Sequence, residues 1–411
     1  MAKVWSFVLA GLVGGAAIGV WTAPAHAQER VMITRSMSSA GGGQISKRAV
    51  ERYAAAVGFT AEQSEFARTI HEAYVAGMEQ AQKTRRQALE EARRAGEDTG
   101  DHGVFMERMP AIEKEFRAKS QAMEKSFFED VHALLSPEQE DRWVKVERMR
   151  RREVGLRAGT LAGESVDLSD LVASLSLAPE EAASIAPTLD EYEADLDRHM
   201  QERARLMADE REFSLSPRGG DPEEGMRRMQ ESMKAGRELG VKIRGTNEQY
   251  ARRVASMLRE EPRQAFEREL QKRSFPLVYR QSRVSRELEG ALALDDLRPE
   301  QRDDLRALRE QYERDAGAAN DRWAGAIREA EQQENAGAIA TPMGVMRISM
   351  GDEPEGLVEA RKARRAVDEQ ASTRLRSILT PGQLERLPKA SEERGEGEMV
   401  TEGTFVIEGM R

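Results

Sequence analysis

"LRPEQRDDLRALREQY" (residues 297–312) opens on leucine and proline, passes through Gln301 and closes on Glu310-x-Tyr312. The same opening occurs as "FTAEQSEFARTIHEAY" (59–74) and "LAPEEAASIAPTLDEY" (177–192). The leading residues Phe59, Leu177 and Leu297 are 118 and 120 residues apart. Tyr74, Tyr192 and Tyr312 each follow 15 residues later, in a chain with only six tyrosines. Apolar pairs at helical spacing lie between, Phe66/Ile70, Ile185/Leu189 and Leu305/Leu308. Steps of three and four place such residues on one helix face. The acids two residues before each tyrosine, Glu72, Asp190 and Glu310, then point elsewhere.

A second beat follows each opening: "LSPEQEDRW" (135–143), "LREEPRQAF" (258–266) and "LTPGQLERL" (379–387). Opening and closing beats are separated by 76, 81 and 82 residues. Each closing leucine is preceded by an apolar residue four positions back (Val131, Val254, Leu375) and followed by one eight positions on (Trp143, Phe266, Leu387). A match at this many offsets predicts three tandem copies of one helical unit. In Leu-Thr-Pro-x-Gln the threonine suits the N-cap, proline the first helical position, and glutamine closes a capping box. Thr60/Gln63, Ser136/Gln139 and Thr380/Gln383 fit this pattern, and Leu379 with Leu384 fits a hydrophobic staple around the last cap. Ala178, Arg259 and Arg298 stand at the other cap positions and cap poorly.

Between its two beats each copy breaks once, at "GEDTGDHG" (96–103), "SLSPRGGDPEEG" (214–225) and "NAGAIATPMG" (335–344). Glycine and proline end helices and turn the chain. The expected fold is therefore all-α, with three tandem helical hairpins of long amphipathic helices. Lead-in helices are expected around 49–58 and 167–175. No strand pattern stands out before residue 395; "GEMVTEGTFVIEGMR" (397–411) fits a short hairpin or, better, a loose tail. The expected organisation is a signal peptide over 1–27, a flexible linker over 28–45, repeats over 46–152, 153–280 and 281–390, and the tail over 391–411.

The composition agrees with long solvated helices: 33 % of the 411 residues are charged and 5 % aromatic. No cysteine is present, which excludes a disulfide frame, a zinc ribbon, a thiol nucleophile and a lipoprotein anchor. The start reads as an export signal, with Lys3, the apolar run 4–20 and the small-residue site "AHA" at 25–27. Cleavage after Ala27 takes the formal charge from −10 to −11. The alternative is an uncleaved anchor, because the run nearly spans a bilayer; its glycines and Pro24 favour the signal.

A signal, helical hairpins and paired Leu-Thr-Pro-x-Gln beats about 80 residues apart resemble the LTxxQ-motif periplasmic stress proteins, the Spy- and CpxP-like family. "LTPGQ" (379–383) carries the resemblance best, then "LSPEQ" (135–139) and "FTAEQ" (59–63), within a span of roughly 46–390. The resemblance implies an all-helical, ATP-independent chaperone whose monomers pair into a shallow cradle for unfolded clients, in a family with zinc-, nickel- or cobalt-responsive members. This chain departs from it by fusing three units and by being acidic where the family's cradle is basic. No client-binding residue transfers.

Methionine pairs start each return arm: Met106/Met109, Met226/Met229 and Met343/Met346, extended by Met233 and Met350 to i, i+3, i+7. Three readings fit them: core packing at the hairpin end, an adaptable apolar lip for varied clients, and a thioether site for Cu(I). The histidines after the signal (His71, His102, His132, His199) form no spaced pair suited to zinc. Arginine clusters at 148–152 and 361–365 leave binding to an anionic surface open, whereas an acidic exported chain without aromatic interleaving does not suit nucleic acid. No nucleophile elbow, H-E-x-x-H or phosphate-loop motif occurs, so neither catalysis nor a cofactor is expected. The expected function is chaperone-like holding of partly unfolded exported proteins, by a chain that can also self-associate. An envelope scaffold and a metal-stress sensor or buffer are the alternatives.

Overall fold

The structure, a computed structural model, describes residues 31–36, 43–101, 103–215, 222–332, 336–341, 344–350, 354–388 and 404–407. The fold is all-α. Twelve α-helices are present among the described residues: α1 (Lys47–Val57), α2 (Ala61–Thr99), α3 (Gly103–His132), α4 (Trp143–Gly155), α5 (Leu168–Ala173), α6 (Pro179–Leu215), α7 (Pro222–Met257), α8 (Glu260–Ser274), α9 (Arg283–Leu292), α10 (Pro299–Gln332), α11 (Glu355–Ile378) and α12 (Pro381–Leu384). The proposed signal lies outside the described residues. Among them no helix is long and apolar enough to cross a membrane.

Long helices pair as α2 with α3, α6 with α7, and α10 with α11. The first turn between partners is made by Gly100, whose φ of 68° suits a residue without Cβ. Arg85 meets Glu113 and Gly77 meets Met123, so α2 and α3 run antiparallel about that turn. Arg253–Glu191 and Lys242–Glu202 show the same for α6 and α7, and Asp368–Tyr312 and Arg364–Asn320 for α10 and α11.

Each pair is closed at its base by a short lead-in helix (α1, α5 or α9) and a closing segment (α4, α8 or α12), and each base has its own core. Eight residues after each opening, Ala67, Ile185 and Leu305 are all 0 % exposed. The tyrosines at offset 15 and Met78, Leu196 and Ala316 at offset 19 are buried too. Phe66, expected on this stripe, is 53 % exposed: it stands one position, about 100° of helical turn, away from Ala67.

Three strands correct the expectation of none before residue 395, β1 (Val31–Ser36), β2 (Ala336–Thr341) and β3 (Gly344–Met350), and a fourth, β4 (Thr404–Ile407), lies in the expected tail. They form one antiparallel sheet in the order β2-β3-β1-β4. The third break is therefore a β-hairpin rather than a bare loop. Valine, isoleucine and threonine, which favour extended backbone, outweighed the reading of its glycines and proline as a plain turn. The sheet also draws in one segment of the expected linker and one of the expected tail.

The first base packs against the second, and the third unit joins the second through the far part of α10. Arg151 of α4 makes a two-pronged contact with Asp197 of α6 (2.7 and 3.1 Å), and Lys145 reaches Asp190. Farther along, Glu331 near the end of α10 accepts from the Ala162 amide (2.7 Å) and pairs with Arg244 of α7 (2.8 Å). A small apolar cluster of Phe275, Val278 and Ala324, with Ala162, Trp323 and Ile327 against it, seats α10 on the second unit.

Candidate functional site

The base of the first unit is locked where its two beats meet. Thr60 caps α2 in a full capping box, in which its side chain accepts from the Gln63 amide and Gln63 Oε1 accepts from the Thr60 amide. The remaining Gln63 donor, Nε2, crosses to Gln139 Oε1 (2.9 Å) and Leu134 O (2.6 Å). Gln139 returns its own Nε2 to Gln63 Oε1 (3.1 Å) and Gly58 O (2.7 Å). Each glutamine thus satisfies its local cap and the other's amide. In the third unit Gln301 Nε2 donates to Gln383 Oε1 (3.1 Å) and Ile378 O (2.8 Å), and Thr380 with Gln383 completes a second full box.

Ser136 departs from expectation. Its hydroxyl donates to Glu138 (2.7 Å) instead of capping, and only Gln139 Oε1 to the Ser136 amide survives (2.9 Å). The chain here makes a turn and a 3-10 stretch (Glu140–Arg142) before α4, so no α-helical N3 amide faces the hydroxyl.

In the middle unit Glu181 and Pro262 replace the two glutamines, and the lock changes chemistry. Glu181 accepts from the Arg259 amide (2.9 Å) and pairs with its guanidinium (3.1 Å). The Arg259 side chain and amide hold the Glu181 carboxyl below the usual carboxylate range. Proline cannot reach back to the cap amide, and the opposite beat supplies the acceptor instead.

The three tyrosines tie the lead-in helices down. Tyr74 Oη accepts from the Ile45 amide (3.4 Å), beside Ser46, the N-cap of α1. Tyr192 Oη accepts from Leu168 N (3.3 Å) and contacts Val166 O and Asn247 Oδ1, on either side of Asp167, the N-cap of α5. Tyr312 Oη meets Ser282 Oγ (2.5 Å), the N-cap of α9, donates to Asp368 and accepts from Arg364. Burial pushes all three phenols up, so they remain hydrogen-bond donors.

Beyond the base, the arm of the first unit is two helices thick among the described residues. Phe105, Met109, Ile112, Phe116, Met123, Phe127 and Val131 form one stripe along α3 at steps of three, four and seven. At the base Phe127 and Val131 are buried within the core that contains α1. Toward the tip Phe105, Met109, Ile112 and Phe116 are only half-buried, as are Val104 and, on α2, Leu89. One ion pair interrupts this seam: Glu113 is buried against Arg85 (2.7 Å), whose guanidinium also lies 5.0 Å over the Phe116 ring.

Of the methionines singled out by sequence, Met106 and Met109 lie on α3, and Met226, Met229 and Met233 on α7. Met109 and Met233 are half-buried; the side chains of Met106, Met226 and Met229, and all of Met343, lie outside the described residues. Met346 and Met350 lie in β3, opposite Arg35 and Val31 of β1, so these two do not share a helical face as expected. Aromatic and aliphatic residues at heptad-like spacing, rather than methionine pairs, were the signal for the arm.

The expected basic patch at 148–152 is consumed internally. Arg150 pairs with Glu124 (2.8 Å), Arg151 with Asp197, and Arg152 with Asp167 (2.7 Å) and Glu193 (3.0 Å). Arg364 of the second cluster is buried against Tyr312 and Asp368. His71 is buried with Nε2 2.8 Å from Ile45 O, and His132 lies 3.0 Å from Glu140. Among the described residues no group of three or more His, Cys, Asp or Glu side chains is placed to hold a metal ion. Comparison of the chain with protein-family models, with curated proteins and with solved structures finds no match.

Proposed function

We propose that the protein is an exported, ATP-independent holding chaperone that grips partly unfolded proteins on the arms of its helical hairpins. The observation that carries this is the α3 stripe, which leaves the four-helix base with Phe105, Met109, Ile112 and Phe116 half-buried and, among the described residues, packed chiefly against α2. Two helices bury less of an apolar stripe than four, and the remainder stays open to a client's apolar side chains at about 25 cal/mol per Å² covered. The flanking charges keep the arm solvated and let a bound chain leave. The matched locks and tyrosine ties of the three units support a further part of this reading, that the chain is one hairpin unit in three copies. Its clients would be exported proteins that have lost their fold.

The test uses the mature chain, residues 28–411, mixed at several-fold excess with a denatured, aggregation-prone model protein in the absence of nucleotide. Suppressed light scattering is expected. Phe105→Glu with Phe116→Glu should weaken the suppression several-fold while the melting temperature moves by only a few degrees, because neither residue is in the base core. Scattering unchanged by the wild-type chain at that excess overturns the proposal.

A further inference from the structure

A cleft of about 330 Å³ lies at the junction of the first and second units. One wall is the first turn of α1, where Ser46 accepts from the Ala49 amide (3.1 Å); the other is the end of α4 and the residues after it. The opening amides of a helix have no carbonyl within the helix to bond, so this wall is electropositive before any side chain is counted.

Arg48, Arg52, Arg152 and Arg157 line the cleft together with three carboxylates. The carboxylates are already engaged. Asp167 caps α5 with one oxygen and takes Arg152 Nε with the other. Glu153 is held by Arg52 Nη2 (2.5 Å) and the Tyr53 hydroxyl (2.6 Å). Asp170 is shared by Arg52 Nη1 (3.1 Å) and Arg273 Nη1 (2.9 Å).

What remains is positive charge. Arg157 has no ion pair or hydrogen bond among the described residues, and its guanidinium lies against Gly43, where a Cβ would stand 1.6 Å from Nη1. The Arg48 side chain is 76 % exposed and reaches no closer than 3.9 Å to Asp170. Arg152 lines the cleft at only 5 % exposure and is held by Asp167 and Glu193, so it adds to the field of the cleft rather than to its free donors. A free guanidinium, a second one that is largely exposed and a helix N-terminus around one cleft are complementary to an oxyanion with several acceptor oxygens.

We propose that this junction binds a phosphate group, entering as inorganic phosphate, as a soluble phosphomonoester or as a lipid head group, and that the bound anion joins the first unit to the second. The Arg157 guanidinium supplies the forked contact and Arg48 with the α1 amides the opposite side.

The test titrates the full mature chain with sodium phosphate against sodium chloride at matched ionic strength, by calorimetry and by thermal melting. In parallel, the chain is sedimented with phosphatidylglycerol vesicles. One saturable site per chain and a rise in melting temperature beyond that in chloride are expected. Arg157→Ala should weaken binding at least tenfold, and Arg157→Lys less, while the melting temperature without anion stays put, since Arg157 holds no ion pair. A response to phosphate alone assigns the site to a free ion or soluble ester, and a response to vesicles alone to a lipid head group; either supports the site when Arg157→Ala removes it. No saturable response to either, or one that Arg157→Ala leaves intact, overturns it.

Discussion

Replacing Gln139 by leucine removes the acceptor of the Ser136 amide and the donor to Gly58 O, and leaves Gln63 without half of its amide pair. Leaving partly buried polar groups unmet costs about 1–3 kcal/mol. Chemical denaturation of Gln139→Leu should therefore show a loss of that size. A double-mutant cycle of Gln63→Ala and Gln139→Ala should give a coupling above about 0.5 kcal/mol, because the two side chains bond each other directly. Additive single losses would show that the pair acts only as two separate caps. The cap role of these glutamines was legible in the five-residue beat, since capping is an i, i+3 affair. Their meeting across 76 residues was not, because a local pattern names no distant partner. For the same reason the middle unit read as poorly capped at Ala178 and Arg259, although the structure shows a different lock at the same place.

Helices announced themselves by period and by their breaks, and the all-α fold followed from that. The errors at this scale have local causes. Phe66 was placed on the buried face because a phenylalanine outweighs an alanine in any apolar count, yet Ala67 is the residue that fits where helices approach closely. The strands of the third break were missed because six or seven residues hold too few periods to outvote the surrounding helices. Between elements, ion pairs set the pH response. Burial works against charging Asp197, but hydrogen bonds from Arg151 and Gln201 prevail and hold its carboxyl below the usual range. A carboxyl depressed in the folded state stabilises fully above its unfolded value, about 4, and loses that contribution as pH falls through the folded value. The chain should accordingly weaken below about pH 4. Asp197→Asn, which cannot titrate, should be less stable at pH 7 by about 1–3 kcal/mol and show a flatter decline in acid. Parallel acid profiles for the variant and the parent would remove the α4–α6 contact as a cause.

For the molecule as a whole, the question that periodicity could not answer was whether the hairpins stand apart. Their amphipathic faces are satisfied within each base, so no residual apolar stripe in the sequence pointed from one unit to the next. Besides the small cluster of Phe275, Val278 and Ala324, the joints are made by single charged residues whose partners lie far along the chain. Glu331 is the clearest case. One oxygen meets the Ala162 amide, the other meets Arg244, and its backbone carbonyl accepts from Arg237. Glu331→Ala leaves the Ala162 amide and the Arg244 guanidinium without this acceptor but touches none of the three base cores. The third unit should then loosen from the second without unfolding. In calorimetry a single melting transition should broaden or split, with about 1–3 kcal/mol lost from the joint, while far-ultraviolet circular dichroism at 25 °C stays unchanged. Glu331→Gln keeps an acceptor for the amide and gives up the charge, so it should fall between the two. An unaltered transition in Glu331→Ala would place the coupling in the apolar contact of Phe275 and Val278 with α10, where Val278→Ala would then have the larger effect.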